Sequence, residues 1–78
     1  MIYVFGQDMC NTCKTTQSIL DMKEISFQYY DIGKVYEDKV LMSLRNKIKK
    51  QATKERGKDY PLPLISRDET LIELDELL

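Results

Sequence analysis

Cys10-Asn11-Thr12-Cys13 places two thiols one helical turn apart, directly after the short apolar run Ile2 to Phe5. Two thiols at that spacing point to thiol–disulfide exchange. A strand that delivers a cysteine to the first turn of a helix aims unpaired N–H groups at its sulfur, and this stabilises the thiolate that does the attacking. On this reading Cys10, at or before the first turn, is the nucleophile, and Cys13, one turn in, lies beneath it as the resolving thiol. Lys14 adds a positive charge that favours a thiolate if it faces the sulfur. The same pair would suit half of a zinc site, but the chain has no histidine and no third cysteine, so a tetrahedral site would need ligands from elsewhere. No metal is expected. A purely structural pair of small residues packed in a helix is the remaining reading, weakened by the position of the motif just after a strand.

The elements that must position the thiols are legible as alternating strand and helix signals. Ile2, Tyr3, Val4 and Phe5 form a continuous apolar run ended by Gly6, which suits a central strand covered on both faces. Asn11 to about Lys23 reads as a helix with its apolar residues, Ile19, Leu20 and Met22, falling late. Ser26 to Ile32, rich in Phe and Tyr, reads as a second strand, giving a βαβ unit with parallel strands. Val40, Leu41, Leu44, Ile48 and Ala52 then recur at spacings of three and four, the stripe of an amphipathic helix that ends near Gly57. Tyr60-Pro61-Leu62-Pro63 breaks it and leads into a strand at Leu64 and Ile65. A turn at Arg67-Asp68-Glu69 makes a hairpin with Thr70, Leu71 and Ile72, and Leu74 to Leu78 forms little more than one helical turn.

A chain of 78 residues is expected to make one domain, residues 1–78, whose single core is barely large enough to fold without staples. The net charge of -1 gives no reason to expect a nucleic-acid or membrane partner. Charge is unevenly spread, however: nine of the twelve Lys and Arg lie between Lys34 and Lys58, while residues 68–78 carry five acids and no base. A basic helix face is therefore expected, which a solvated surface explains and an acidic partner would exploit. No signal peptide or membrane span is expected at the N-terminus, and both cysteines are spent in one motif, so the expected compartment is a reducing cytosol.

The order strand, CxxC at a helix start, strand, helix, Pro-led strand, strand, short helix resembles glutaredoxin, of the thioredoxin-like group, across nearly the whole chain. Small bacterial and bacteriophage glutaredoxins are similar in length. The matching pieces are Ile2 to Gly6, Cys10-Asn11-Thr12-Cys13, Phe27 to Ile32, Leu62-Pro63 with Leu64-Ile65 behind it, and Leu71 with Asp75-Glu76-Leu77. The resemblance implies an α/β fold of β-α-β-α-β-β-α order with a four-stranded mixed sheet. It also implies a cis bond before Pro63, with the Leu62 backbone pairing to the bound disulfide substrate like a short added strand. The bland alternative is that Pro61 and Pro63 merely open an edge strand.

Further implications of the resemblance are glutathione as reducing co-substrate, with no bound cofactor, and contacts to it from Leu62, Pro63, Thr12, Asp75 and Glu76. Protein disulfides, a ribonucleotide reductase among them, are the implied substrates, and a monomer the expected state. The sequence departs from the family at four places. Gln7 stands where a basic residue commonly precedes the cysteines, and Thr12 where an aromatic is usual. Ile72-Glu73 replaces paired glycines, adding bulk and negative charge where room is expected, and the last helix stops early at Leu78. Lys39 on the basic helix is a candidate replacement for the lost carboxylate partner.

The leading reading is a glutathione-dependent dithiol–disulfide oxidoreductase. The alternatives are a redoxin of the same fold fed by thioredoxin reductase, and a redox-switch binding module whose contact surface is the basic helix from Val35 to Arg56. An arsenate-reductase-like regulator shares an N-terminal CxxC but is considerably longer. An iron–sulfur cluster bridging two chains, with Cys10 and glutathione as ligands, is a further reading.

Overall fold

Ile2–Gly6 forms β1, and its burial on both sides explains why the run has no polar alternation: Val4 and Phe5 are wholly buried on opposite faces. The structure, a computed structural model, describes residues 1–34 and 38–78. From β1 the chain enters α1 (Asn11–Met22) and returns in β2 (Phe27–Asp31), parallel to β1 with Ile2 opposite Phe27 and Val4 opposite Tyr29. Next come α2 (Lys39–Arg56), β3 (Leu64–Arg67) and β4 (Thr70–Ile72), and the chain closes in a 3₁₀ turn, Leu74–Leu77. The strand order is β2-β1-β3-β4, with β3 antiparallel to both β1 and β4. This is the four-stranded mixed sheet expected from the sequence. The start of the basic surface at Val35, and Glu37 within it, lie outside the described residues.

Two small cores flank the sheet. Phe5, Ile32, Leu64 and Leu71 pack with Ile48 and Ala52 of α2, supported by stacked Tyr3, Phe5 and Tyr30 rings with centroids 6.1–6.4 Å apart. On the other face Ile2, Val4, Ile65 and Ile72 pack with Leu20 of α1. Two helix positions differ from the sequence reading. Val40, read as part of the apolar stripe, is 79% exposed, because that stripe runs through Leu41, Leu44, Ile48 and Ala52 and leaves its neighbour turned to solvent. Met22, at the end of α1, is exposed too, and the buried positions of that helix are Cys13, Thr16 and Leu20. The second cysteine therefore lies on the core-facing stripe.

Local chemistry fixes the ends of α2. The Asp38 carboxylate accepts from the N–H groups of Val40 (2.9 Å) and Leu41 (3.2 Å), and Gly57 ends the helix at φ 85°, a left-handed conformation open to glycine. Gln51 joins α2 to the edge strand: its Oε1 accepts from Leu71 N–H and its amide donates to the Glu69 carbonyl, both at 2.9 Å. Gln51→Ala should therefore destabilise the protein by about 1–3 kcal/mol, since it strips one hydrogen bond from β4 at Leu71 and one from the turn before it at Glu69. Urea denaturation followed by circular dichroism checks this, with an unchanged slope and a lower midpoint as the expected result.

Candidate functional site

The loop from Gln7 to Met9 carries the chain from the end of β1 into α1. It turns at Met9, whose φ of 61° is left-handed and whose side chain is 90% exposed beside Cys10. For a residue with a Cβ, that conformation costs on the order of 1–2 kcal/mol. Cys10 is the N-cap of α1, with extended backbone, and its Sγ accepts from the Cys13 N–H at 3.2 Å. No acidic side chain lies in the first turn to oppose a negative sulfur. Cys10 is half-buried and Cys13 fully buried one turn behind it, with Cα atoms 5.2 Å apart and the two sulfurs joined in a disulfide.

Gly6 makes this close packing possible. A Cβ built there would lie 2.8 Å from Cys13 Sγ, 2.7 Å from the Tyr29 hydroxyl and 2.9 Å from the Tyr29 ring. Tyr29 donates its O–H to the Gln7 carbonyl at 3.3 Å. Burial and, after it, the negative charges of Asp31 and Asp8 push its phenol above the ordinary value. Lys34 pairs with Asp8 at 3.5 Å across the same end of the sheet, and Arg45 donates to the Ile32 carbonyl at 3.0 Å.

Leu62-Pro63 has a cis peptide bond. Because Phe5 pairs with Leu64, the antiparallel register carries Pro63 beside Gly6, at the cysteine end of the sheet. Thr12 is exposed on the first turn of α1, and Asp75 and Glu76 are exposed on the 3₁₀ turn. Glu76 is not free: its carboxylate accepts from the Glu73 N–H at 2.7 Å. Ile72 and Glu73 also differ from the sequence reading. The Ile72 side chain is turned into the core, and the Glu73 carboxylate is paired with Arg56, so neither simply adds bulk or free charge.

Lys39 is a clearer correction. It lines a cleft with Tyr3, Ser43, Leu44, Asp68 and Glu69. That cleft adjoins Asp68 and Glu69 of the β3–β4 turn, beside the start of β1, whereas the cysteines follow the other end of that strand. Toward the cysteine end, Lys34 pairs with Asp8, Arg45 reaches the Ile32 carbonyl, and Lys14 is exposed on α1. The sequence analysis missed Tyr29, whose hydroxyl and Cys13 Sγ both lie within 3.0 Å of the position a Gly6 Cβ would take. Among the described residues no group of three or more His, Cys, Asp or Glu is placed to hold a metal.

A glutaredoxin from Archaeoglobus fulgidus superposes on this chain with a TM-score of 0.58, covering 97% of this chain and 79% of its own, at 19% sequence identity. The chain has the glutaredoxin fold. No protein-family model matches the sequence, and neither does any curated protein. At that identity the likeness concerns the path of the backbone. Within this glutaredoxin fold the CxxC pair occupies the junction of β1 and α1, beside the loop that carries Pro63. No described helix is long and apolar enough to cross a membrane.

Proposed function

We propose that the protein is a glutathione-dependent dithiol–disulfide oxidoreductase. The observation that supports the exchange chemistry is the asymmetry of the pair: Cys10 is half-buried with its sulfur accepting a helix N–H, while Cys13 is fully buried and bonded to it. In the reduced protein the Cys10 thiolate attacks a substrate disulfide, forming a bond to one substrate sulfur and releasing the other as a thiolate that takes a proton from water. The Cys13 thiolate then attacks Cys10 Sγ, forming the Cys10–Cys13 disulfide and releasing the second substrate sulfur. The substrate gains two electrons and the protein loses two. Two glutathione thiols, oxidised to their disulfide, return the pair to its dithiol form.

The backbone of Leu62, together with Pro63, Thr12, Asp75 and Glu76, supplies the contacts we assign to glutathione. The substrates are disulfides of proteins, a ribonucleotide reductase among them, and glutathione mixed disulfides. The working compartment is a cytosol whose glutathione pool keeps the pair reduced, and the working state is a monomer.

One observation favours a second electron source. Glu76, one of the glutathione contacts implied by the family resemblance, already accepts from the Glu73 N–H in its own turn, which ties down part of that carboxylate and favours direct reduction by a thioredoxin reductase. The test is turnover of a glutathione mixed disulfide with glutathione, NADPH and glutathione reductase, beside an insulin-reduction assay with thioredoxin reductase. Turnover in the glutathione system supports the proposal. Turnover only with thioredoxin reductase replaces the electron source and keeps the exchange chemistry, while silence in both overturns the exchange reading.

A further inference from the structure

We propose that the Tyr29 hydroxyl is the hydrogen-bond donor that stabilises the thiolate of Cys13 while it resolves the mixed disulfide. This rests on the exchange reading above. The absence of a side chain at position 6 brings the two groups together. Because Gly6 has no Cβ, the Tyr29 hydroxyl and Cys13 Sγ both enter the space that atom would fill, 2.7 and 2.8 Å from its position. The two atoms are thus no farther apart than the sum of those distances.

Cys13 has a need that this arrangement meets. Its side chain is fully buried, and burial of a thiol away from water disfavours the thiolate. The helix end does not help it, since the N–H of Cys13 is directed to Cys10 Sγ. The nearby O–H of Tyr29 has, among the described residues, the Gln7 carbonyl as its acceptor, at a long 3.3 Å. A negative sulfur appearing beside that hydroxyl is the stronger acceptor, because a charged partner roughly doubles the strength of a hydrogen bond.

The charged groups facing Tyr29 are Asp31 on its own strand and Asp8 in the loop after β1, with Lys34 paired to Asp8. From α1 it faces Cys13. Both carboxylates and the burial keep the phenol protonated, so Tyr29 acts as a donor and not as a base. In the resolving step the Cys13 thiol releases its proton to water, and its thiolate, held by the Tyr29 O–H, attacks Cys10 Sγ. The Cys10–Cys13 bond forms, the bond from Cys10 to the substrate sulfur breaks, and the substrate leaves as a thiolate that water protonates. Tyr29 keeps its own proton throughout.

The test removes one oxygen. In a Cys10→Ser chain, where Cys13 is the sole thiol, Tyr29→Phe should raise the thiolate titration of Cys13, followed by ultraviolet absorbance, by about one pH unit. In the chain with both cysteines, Tyr29→Phe should slow resolution of a Cys10 mixed disulfide about threefold at pH values below that titration. At the alkaline plateau it should leave the rate equal or faster, because a less acidic thiol gives a more nucleophilic thiolate. Formation of the mixed disulfide by Cys10 should change less than about twofold. A loss of packing alone would slow resolution by the same factor at every pH, and that result, or a titration unmoved by Tyr29→Phe, overturns the proposal. A shifted titration in a protein that exchanges no disulfide would overturn the activity reading while leaving Tyr29 as the donor to Cys13.

Discussion

Cys10→Ser should lower disulfide exchange by at least about a thousandfold, to the uncatalysed background, whichever substrate is offered. The reason is positional. Cys10 is the half-buried residue of the pair and its sulfur accepts a helix N–H at 3.2 Å, whereas Cys13 is fully buried and offers an incoming disulfide no approach. Serine at position 10 can still accept the Cys13 N–H, as serine does at helix N-termini, so the fold and the start of α1 should survive the change. Cys13→Ser should behave differently. It leaves the nucleophile in place, so a glutathione mixed disulfide, which a second glutathione can clear from Cys10, should retain a substantial share of its turnover. Reduction of a protein disulfide needs an internal resolving thiol and should stall at a covalent mixed disulfide, visible by intact mass. Parallel assays of both variants on both substrates check this, and equal losses everywhere would contradict the division of roles.

How far the sequence reveals this site depends on which physical signal each residue leaves. The unbroken apolar run Ile2 to Phe5 identified the central strand, because only a strand covered on both faces dispenses with alternation, and Val4 and Phe5 are wholly buried. The i, i+3, i+4 recurrence from Leu41 to Ala52 identified α2, and Gly57 its end, while Val40 misled because an apolar residue at a helix start carries no mark of its direction. In α1 the inward stripe includes Cys13 and Thr16, neither strongly apolar, so the buried face of that helix is faint in the sequence. Lys39 was misplaced for a topological reason: proximity to the thiols depends on which end of the sheet α2 starts from, and composition does not record that. Tyr29 was missed for a similar reason. Its strand is obvious, but its meeting with Cys13 depends on the parallel register that sets it opposite Val4 and on the bare surface of Gly6 next along β1.

That bare surface makes Gly6→Ala the most disruptive small substitution expected outside the cysteines. Three heavy atoms lie within 3.0 Å of the new methyl position: Cys13 Sγ, the Tyr29 hydroxyl and a Tyr29 ring carbon. The tyrosine can give way, since its polar end is partly exposed and held by one long bond to Gln7. Cys13 cannot move so freely, because it is buried on the sheet-facing stripe of α1 and bonded to Cys10 in the oxidised protein. The methyl must therefore push α1 away from β1 or force Cys13 from its position. Overpacking of this kind costs roughly 1–3 kcal/mol, which in a domain of this size lowers Tm by at least about 4 °C. Activity should fall as well, and by more than the stability loss explains, because the displaced atom is the resolving sulfur. Gly6→Ala combined with Tyr29→Ala separates the two collisions. If the ring is the main obstacle, the double variant should recover much of the lost Tm relative to Tyr29→Ala alone. If Cys13 is the obstacle, as its burial and bonding argue, Tm should stay low and resolution of the Cys10 mixed disulfide should stay slower than in Tyr29→Ala alone.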